Sequence, residues 1–127
     1  MKKTFLFLLS IFTIVFIVNA GVVNSKGTHI NGNWSSSGSW DTGVPGVDDT
    51  VFIAASDTLT IDLMADVHIK KLNISGKIIN NNGLEVQGNL LIDMGATIDI
   101  NTTMIVGGNL DNSGSIVCQN YLFINNF

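Results

Sequence analysis

The side chains able to do chemistry are few and scattered. The carboxylates Asp62, Glu85, Asp93, Asp99 and Asp111 fall in or near the repetitive half of the chain, and Cys118 is the sole cysteine. Glycoside hydrolysis needs two carboxyl groups facing each other across a fixed gap. Aligned on a repeat of 18 to 19 residues, Glu85 meets Met104, and Asp93 meets Ser75 and Asn112, so no acidic file runs along one face. Polysaccharide elimination needs a lysine or arginine base with acidic or calcium partners. Arginine is absent, and within the repeats lysine occurs only at Lys70, Lys71 and Lys77. Asp48 and Asp49 stand together after Pro45-Gly46, but two carboxylates fall short of the roughly six to eight oxygens of a calcium cage. They are expected to bond N–H groups of a type II turn formed by Pro45-Gly46. His68 points outward by alternation, His29 has no partner, and Thr58-Leu59-Thr60 lacks the repeated partners of an ice-binding face. The expectation is no catalytic residue, no metal and no cofactor.

Binding chemistry is represented by Trp34 and Trp40, six residues apart in a segment of serine, glycine and asparagine. Exposed, they would form a carbohydrate-binding platform, an indole face against the C–H face of a pyranose. Buried, each would cover on the order of 200 Å² and close the apolar end that a stack of repeats leaves open. The cap is the favoured reading.

The elements that must position these residues repeat themselves. Ile74-Ser75-Gly76-Lys77-Ile78-Ile79, Asp93-Met94-Gly95-Ala96-Thr97-Ile98 and Asn112-Ser113-Gly114-Ser115-Ile116-Val117 align with glycines 19 apart, as do Leu72, Leu91 and Leu110, and Asn82, Asn101 and Asn120. Gln87-Gly88-Asn89-Leu90 and Gly107-Gly108-Asn109-Leu110 lie 20 apart, so the period is soft by one residue. Inside each copy apolar residues alternate, with Leu84, Val86, Leu90, Ile92 and Met94, then Ile98 and Ile100, on one parity. Period two within a unit of about 20 residues describes short strands and turns wound round an axis. The fold expected is all-β: a short right-handed parallel β-helix of three to four coils with a tryptophan-containing N-terminal cap. Gly76, Gly95 and Gly114 would form one corner file. Asn82, Asn101 and Asn120 would form an amide ladder. Cys118 is expected to be a half-buried free thiol.

The N-terminus has a different character. Lys2 and Lys3 precede an apolar run over 5–18 and then Val18-Asn19-Ala20, the pattern of a secretory signal peptide cut after Ala20. Fourteen residues rise about 21 Å as a helix, short of a bilayer core of about 30 Å. Without 1–20 the chain keeps four lysines against ten acidic residues, a net charge of 4 − 10 = −6. That balance disfavours nucleic acid and anionic membranes as partners. The organisation expected is a signal peptide over 1–20, cap and turn over 21–49, and solenoid over 50–127. Tyr121-Leu122-Phe123-Ile124 would open a further, incomplete coil, and the expectation is either a fragment of a longer solenoid or a protomer that stacks end to end through it.

One stretch is also familiar. Trp40-Asp41-x-Gly43-x-Pro45-Gly46-x-x-Asp49-x-Val51-x-Ile53, then Leu59-x-Ile61-Asp62 and Leu72-x-Ile74-x-Gly76, resembles the eight-glycine extracellular domain, and more closely the opening module of large secreted proteins of Bacteroidetes-type bacteria. The resemblance covers about 33–111. It implies an extracellular parallel β-helix module, often attached to other domains, and no catalytic residue; no C-terminal sorting domain follows here. The chain is expected to be a non-catalytic secreted or cell-surface structural or adhesion module. The alternative is a carbohydrate-binding module, with Trp34 and Trp40 facing an extracellular glycan.

Overall fold

Alternation with period two, carried once round a coil, builds three faces. The computed structural model describes residues 20–28 and 31–125; the leader expected over 1–20 lies, except for Ala20, outside the described residues, as does His29. The chain opens with β1 (Val22–Asn24), β2 (Gly32–Asn33) and a 3₁₀ turn over Ser37–Ser39. Four three-strand coils follow: β3 (Thr50–Ile53), β4 (Thr58–Ile61) and β5 (Val67–Ile69); β6 (Lys71–Ile74), β7 (Lys77–Asn80) and β8 (Leu84–Val86); β9 (Leu90–Ile92), β10 (Thr97–Ile100) and β11 (Thr103–Val106); β12 (Leu110–Asn112), β13 (Ser115–Cys118) and β14 (Tyr121–Ile124). Corresponding strands pair in parallel, giving a first sheet β1-β3-β6-β9-β12, a second β2-β4-β7-β10-β13 and a third β5-β8-β11-β14. Parallel neighbours ordinarily need a long crossover. Here the crossover is the rest of the coil. The protein is a parallel β-solenoid of four coils, and β14 closes the fourth coil rather than opening another.

The inward parity forms continuous columns. Val23, Val51, Leu72, Leu90 and Leu110 stack in the first sheet, Leu59, Ile78, Ile98 and Ile116 in the second, and Val67, Leu84, Met104 and Leu122 in the third. Above the last coil these side chains are buried; in it, Leu110, Ile116 and Leu122 are partly covered. Cys118 belongs to the inward column of Asn80 and Ile100, yet it is exposed because it lies in that last coil. Asn80 is the polar exception in the core. Its Nδ2 donates to Thr103 O at 3.1 Å, while Oδ1 has no partner among the described residues.

The apparent 19-residue period is an average. Leu72 pairs with Leu90 and Leu90 with Leu110, steps of 18 and 20, whereas Ile78 pairs with Ile98 and Ile98 with Ile116, steps of 20 and 18. The offset arises at the corner between the first and second sheets, which alternates between four residues (54–57, 93–96) and two (75–76, 113–114). The four-residue corners close as turns, Asp57 N donating to Ala54 O at 2.9 Å and Ala96 N to Asp93 O at 3.0 Å. Each two-residue corner tucks under such a turn. A Cβ at Gly76 would overlap the carbonyl oxygens of Ala54 and Asp57, and one at Gly114 would lie 2.5 Å from Ala96 O and 2.6 Å from Asp93 O.

Three expectations change with this register. Gly95 is not in the file of Gly76 and Gly114. Ala96 occupies that level, and Gly95 serves the longer turn with φ +86° and open space about its Cα. Asn82, Asn101 and Asn120 do not form a ladder, because Asn101 stands beside Asn81, and Thr102 stands between Asn82 and Asn120. The amides bond elsewhere: Asn101 Nδ2 to Asn81 Oδ1 at 2.8 Å, Asn82 Nδ2 to Ile61 O at 3.4 Å, with Thr102 Oγ1 donating to Asn82 O at 2.6 Å. Nor is Pro45-Gly46 a type II turn, since Gly46 lacks the positive φ that position requires. The turn comes after it, with Asp49 N donating to Gly46 O at 3.1 Å.

The glycine assignment has a direct check. Gly76→Ala should cost about 3 kcal/mol, because backbone oxygens cannot move aside. Gly95→Ala should cost about 1 kcal/mol, for left-handed strain alone. Urea melts of the two variants measure this, and equal losses would contradict the stacked-corner account.

Candidate functional site

The tryptophans lie inside. Trp34 continues the strand line of β2 over Ile61, its N–H donating to Thr60 O at 2.8 Å, and Trp40 returns through an antiparallel bridge to Ser25. Their rings meet edge to face, centroids 4.8 Å apart and planes at 70°, and Trp40 Nε1 donates to Trp34 O at 2.9 Å. At 0% and 1% exposure neither offers a face to a sugar, so the carbohydrate platform weighed as the alternative for this pair is not available in the folded cap. Burial of two aromatic rings against the first coil is worth more here than a solvent-facing pose. Trp34 Nε1 has no hydrogen-bond partner among the described residues.

Most carboxylates are already engaged in the frame. Asp49 accepts from Gly46 N at 2.7 Å and Gly21 N at 2.9 Å, the turn-bonding role expected of it. Buried Asp57 accepts from Gly27 N at 2.8 Å, tying the leading segment to the first long corner. Asp41 takes both the N–H and the Nδ2 of Asn24, at 2.9 and 2.7 Å, and Asp62 takes Ser35 N and Oγ at 2.9 and 2.6 Å. Asp93 accepts from Ser75 Oγ at 2.5 Å, one coil above it. Asp99 pairs with Lys77 Nζ at 2.6 Å, and Glu85 with His68 Nδ1 at 2.9 Å, so His68 is a paired surface group rather than a lone one. Asp111 faces outward on the first sheet, next to Leu91.

Two of these acids titrate abnormally. The Asn24 side-chain amide, followed by its N–H, holds Asp41 below the ordinary carboxylate value. At Asp62 desolvation works upward, but the Ser35 hydroxyl and N–H outweigh it and the net shift is also downward. Both directions suit carboxylates that stay ionised as acceptors, opposite to the raised acid of a hydrolase. Among the described residues no three of His, Cys, Asp and Glu come together as a metal site.

The outer surfaces differ. The third sheet has a shallow groove of about 360 Å³ at Asp66, His68, Gly83, Glu85, Thr103 and Ile105, with Tyr121 and Phe123 side by side below it, ring centroids 6.0 Å apart. The first sheet has an open groove of about 500 Å³ formed by two columns, Thr50, Lys71, Asn89 and Asn109 beside Phe52, Asn73, Leu91 and Asp111. Sequence reasoning passed over this second group. Phe52 is outward by parity between Val51 and Ile53, but only the register brings it above Asn73 and Leu91. No family model, curated protein or solved structure matches the chain. The class the fold defines is a parallel β-solenoid.

Depressed carboxylates fix the sign of the acid response. Their stabilisation is complete above the unfolded value, near pH 3.9, and is lost as pH falls through the lower folded values. Urea midpoints should therefore drop as pH falls below about 4. Asp41→Asn with Asp62→Asn should flatten that drop, and an unchanged slope in the double variant would contradict it.

Proposed function

We propose that the protein is a non-catalytic, secreted or cell-surface structural module, in which a stiff solenoid presents outward surfaces for adhesion. The observation that carries this reading is the use of its acids. Asp41, Asp49, Asp57, Asp62 and Asp93 hold corners and cap, while Glu85 bonds His68 Nδ1 and Asp99 closes an ion pair with Lys77, both across coils. Catalytic carboxylates need a free oxygen aimed at a substrate and, for the acid, a raised pKa. The basic-then-apolar leader over 1–20 supports export, and the Trp-Pro-Gly-Asp sequence over 40–49, similar to that of secreted surface modules, supports the same setting. Attachment to glycan, the second reading, is favoured by the uncommitted polar groups on the first sheet.

Expression of the full chain in a Gram-negative host tests the proposal. The protein should leave the cytoplasm with Gly21 as its first residue, and should release no new reducing ends from polysaccharides. A cytoplasmic protein retaining Met1, or turnover of any glycan, would contradict it.

A further inference from the structure

The three outer faces differ in how far their polar side chains are already engaged. On the second sheet Lys77 is held by Asp99, and on the third His68 by Glu85. On the first sheet Asn24, above Phe52, is held by Asp41, but below it Lys71, Asn73 and Asp111 make no side-chain hydrogen bond or ion pair among the described residues, and Asn89 uses only Oδ1, accepting from Asn109 N at 3.1 Å. These groups lie about Phe52, which is 40% exposed on the outer face of β3, between β1 and β6. Strand pairing spaces the levels by about 4.8 Å.

We infer that this face binds a linear, neutral β-1,4-linked oligosaccharide laid along the solenoid axis, with apolar ring faces on Phe52 and Leu91 and hydroxyls on Lys71, Asn73, Asn89, Asn109 and Asp111. The column Phe52, Asn73, Leu91, Asp111 alternates apolar and polar, so apolar contacts recur every second coil, about 10 Å apart. In a β-1,4-linked chain successive rings are flipped, and the same ring face returns at every second sugar. The neighbouring column supplies hydroxyl, ammonium and two amides. An amide presents donor and acceptor in one plane, which suits paired ring hydroxyls. One lysine and one aspartate balance the local charge, so a polyanion gains little. Because polar residues separate Phe52 from Leu91, the face lacks the contiguous apolar centre of a protein interface. The backbone ladder fixes all of these positions before binding, which lowers the ordering cost.

The inference rests on the extracellular reading, and export and binding are measured separately so that either can fail alone. The test titrates cellohexaose into the exported protein, with calorimetry and amide chemical shifts as readouts. Saturable binding is expected, with shifts centred on Phe52, Asn73 and Leu91. Maltohexaose, with α-1,4 linkages, should bind at least tenfold more weakly. Phe52→Ala and Asn73→Ala should each weaken cellohexaose at least tenfold, Phe52→Tyr should retain it, and Phe123→Ala on the third sheet should leave it unchanged. If Phe52→Ala fails to fold, Asn73→Ala and the shift map decide the matter. No saturable binding, equal affinity for maltohexaose, shifts centred on Tyr121, or binding that survives folded Phe52→Ala and Asn73→Ala would each overturn the site. Absence of binding by a protein that is nonetheless exported would overturn this site and leave the surface-module reading standing.

Discussion

Each coil is held by the coil above it, through parallel backbone pairing with like-shaped side chains stacked beneath. Everything else depends on that pairing. Among the described residues no strand exceeds four residues, and no coil has a core of its own. An aliphatic side chain such as Ile98 becomes buried only because Ile78 lies above it and Ile116 below. Burial of each such side chain is worth about 1.5–3 kcal/mol. A stack gains this at every level, whereas a single coil loses it on both sides. With one cysteine there is no disulfide to supplement the stack.

The need to keep levels in register explains the corners. Where one turn bulges by two residues, the next corner must be short and must pass beneath carbonyl oxygens, which is why glycine stands at 76 and 114. Carboxylates complete the same task at the N-terminal end, where β1 and β2 are edge strands among the described residues. Asp41, Asp49, Asp57 and Asp62 bond N–H groups of the leading segment across long sequence separations. Trp34 and Trp40 close the apolar end over them. The acidity of the chain and the stability of its cap are thus parts of one arrangement, and they leave the flat faces to carry recognition.

Much of the fold was legible because parity within a strand is a local signal. Ile78, Ile98, Leu84 and Val86 could be assigned inward from their neighbours alone, and so could the outward Asp99. Register between coils is not local. It depends on how many residues each corner holds, and glycines aligned by eye at 76, 95 and 114 concealed corners of two, four and two residues. The same averaging put Asn101 under Asn82, when it stands beside Asn81. Asn80 opens a run of three asparagines, yet its parity with Ile78 marks it as inward. The columns of the first sheet were out of reach for the same reason, since Phe52, Asn73 and Leu91 are 21 and then 18 residues apart.

The central claim is that alternate residues of one strand face a shared core and solvent. Ile98 and Asp99 in β10 test it most directly, being adjacent, with Ile98 fully buried and Asp99 on the outer face. Thermal melts of Ile98→Asp and Asp99→Asn should differ sharply. An unpaired carboxylate in the core costs several kcal/mol and should unfold the domain. Loss of the Asp99 charge breaks only a surface pair, worth about 0.2–1 kcal/mol. A folded Ile98→Asp protein, or equal losses from the two substitutions, would contradict the stacked-coil account.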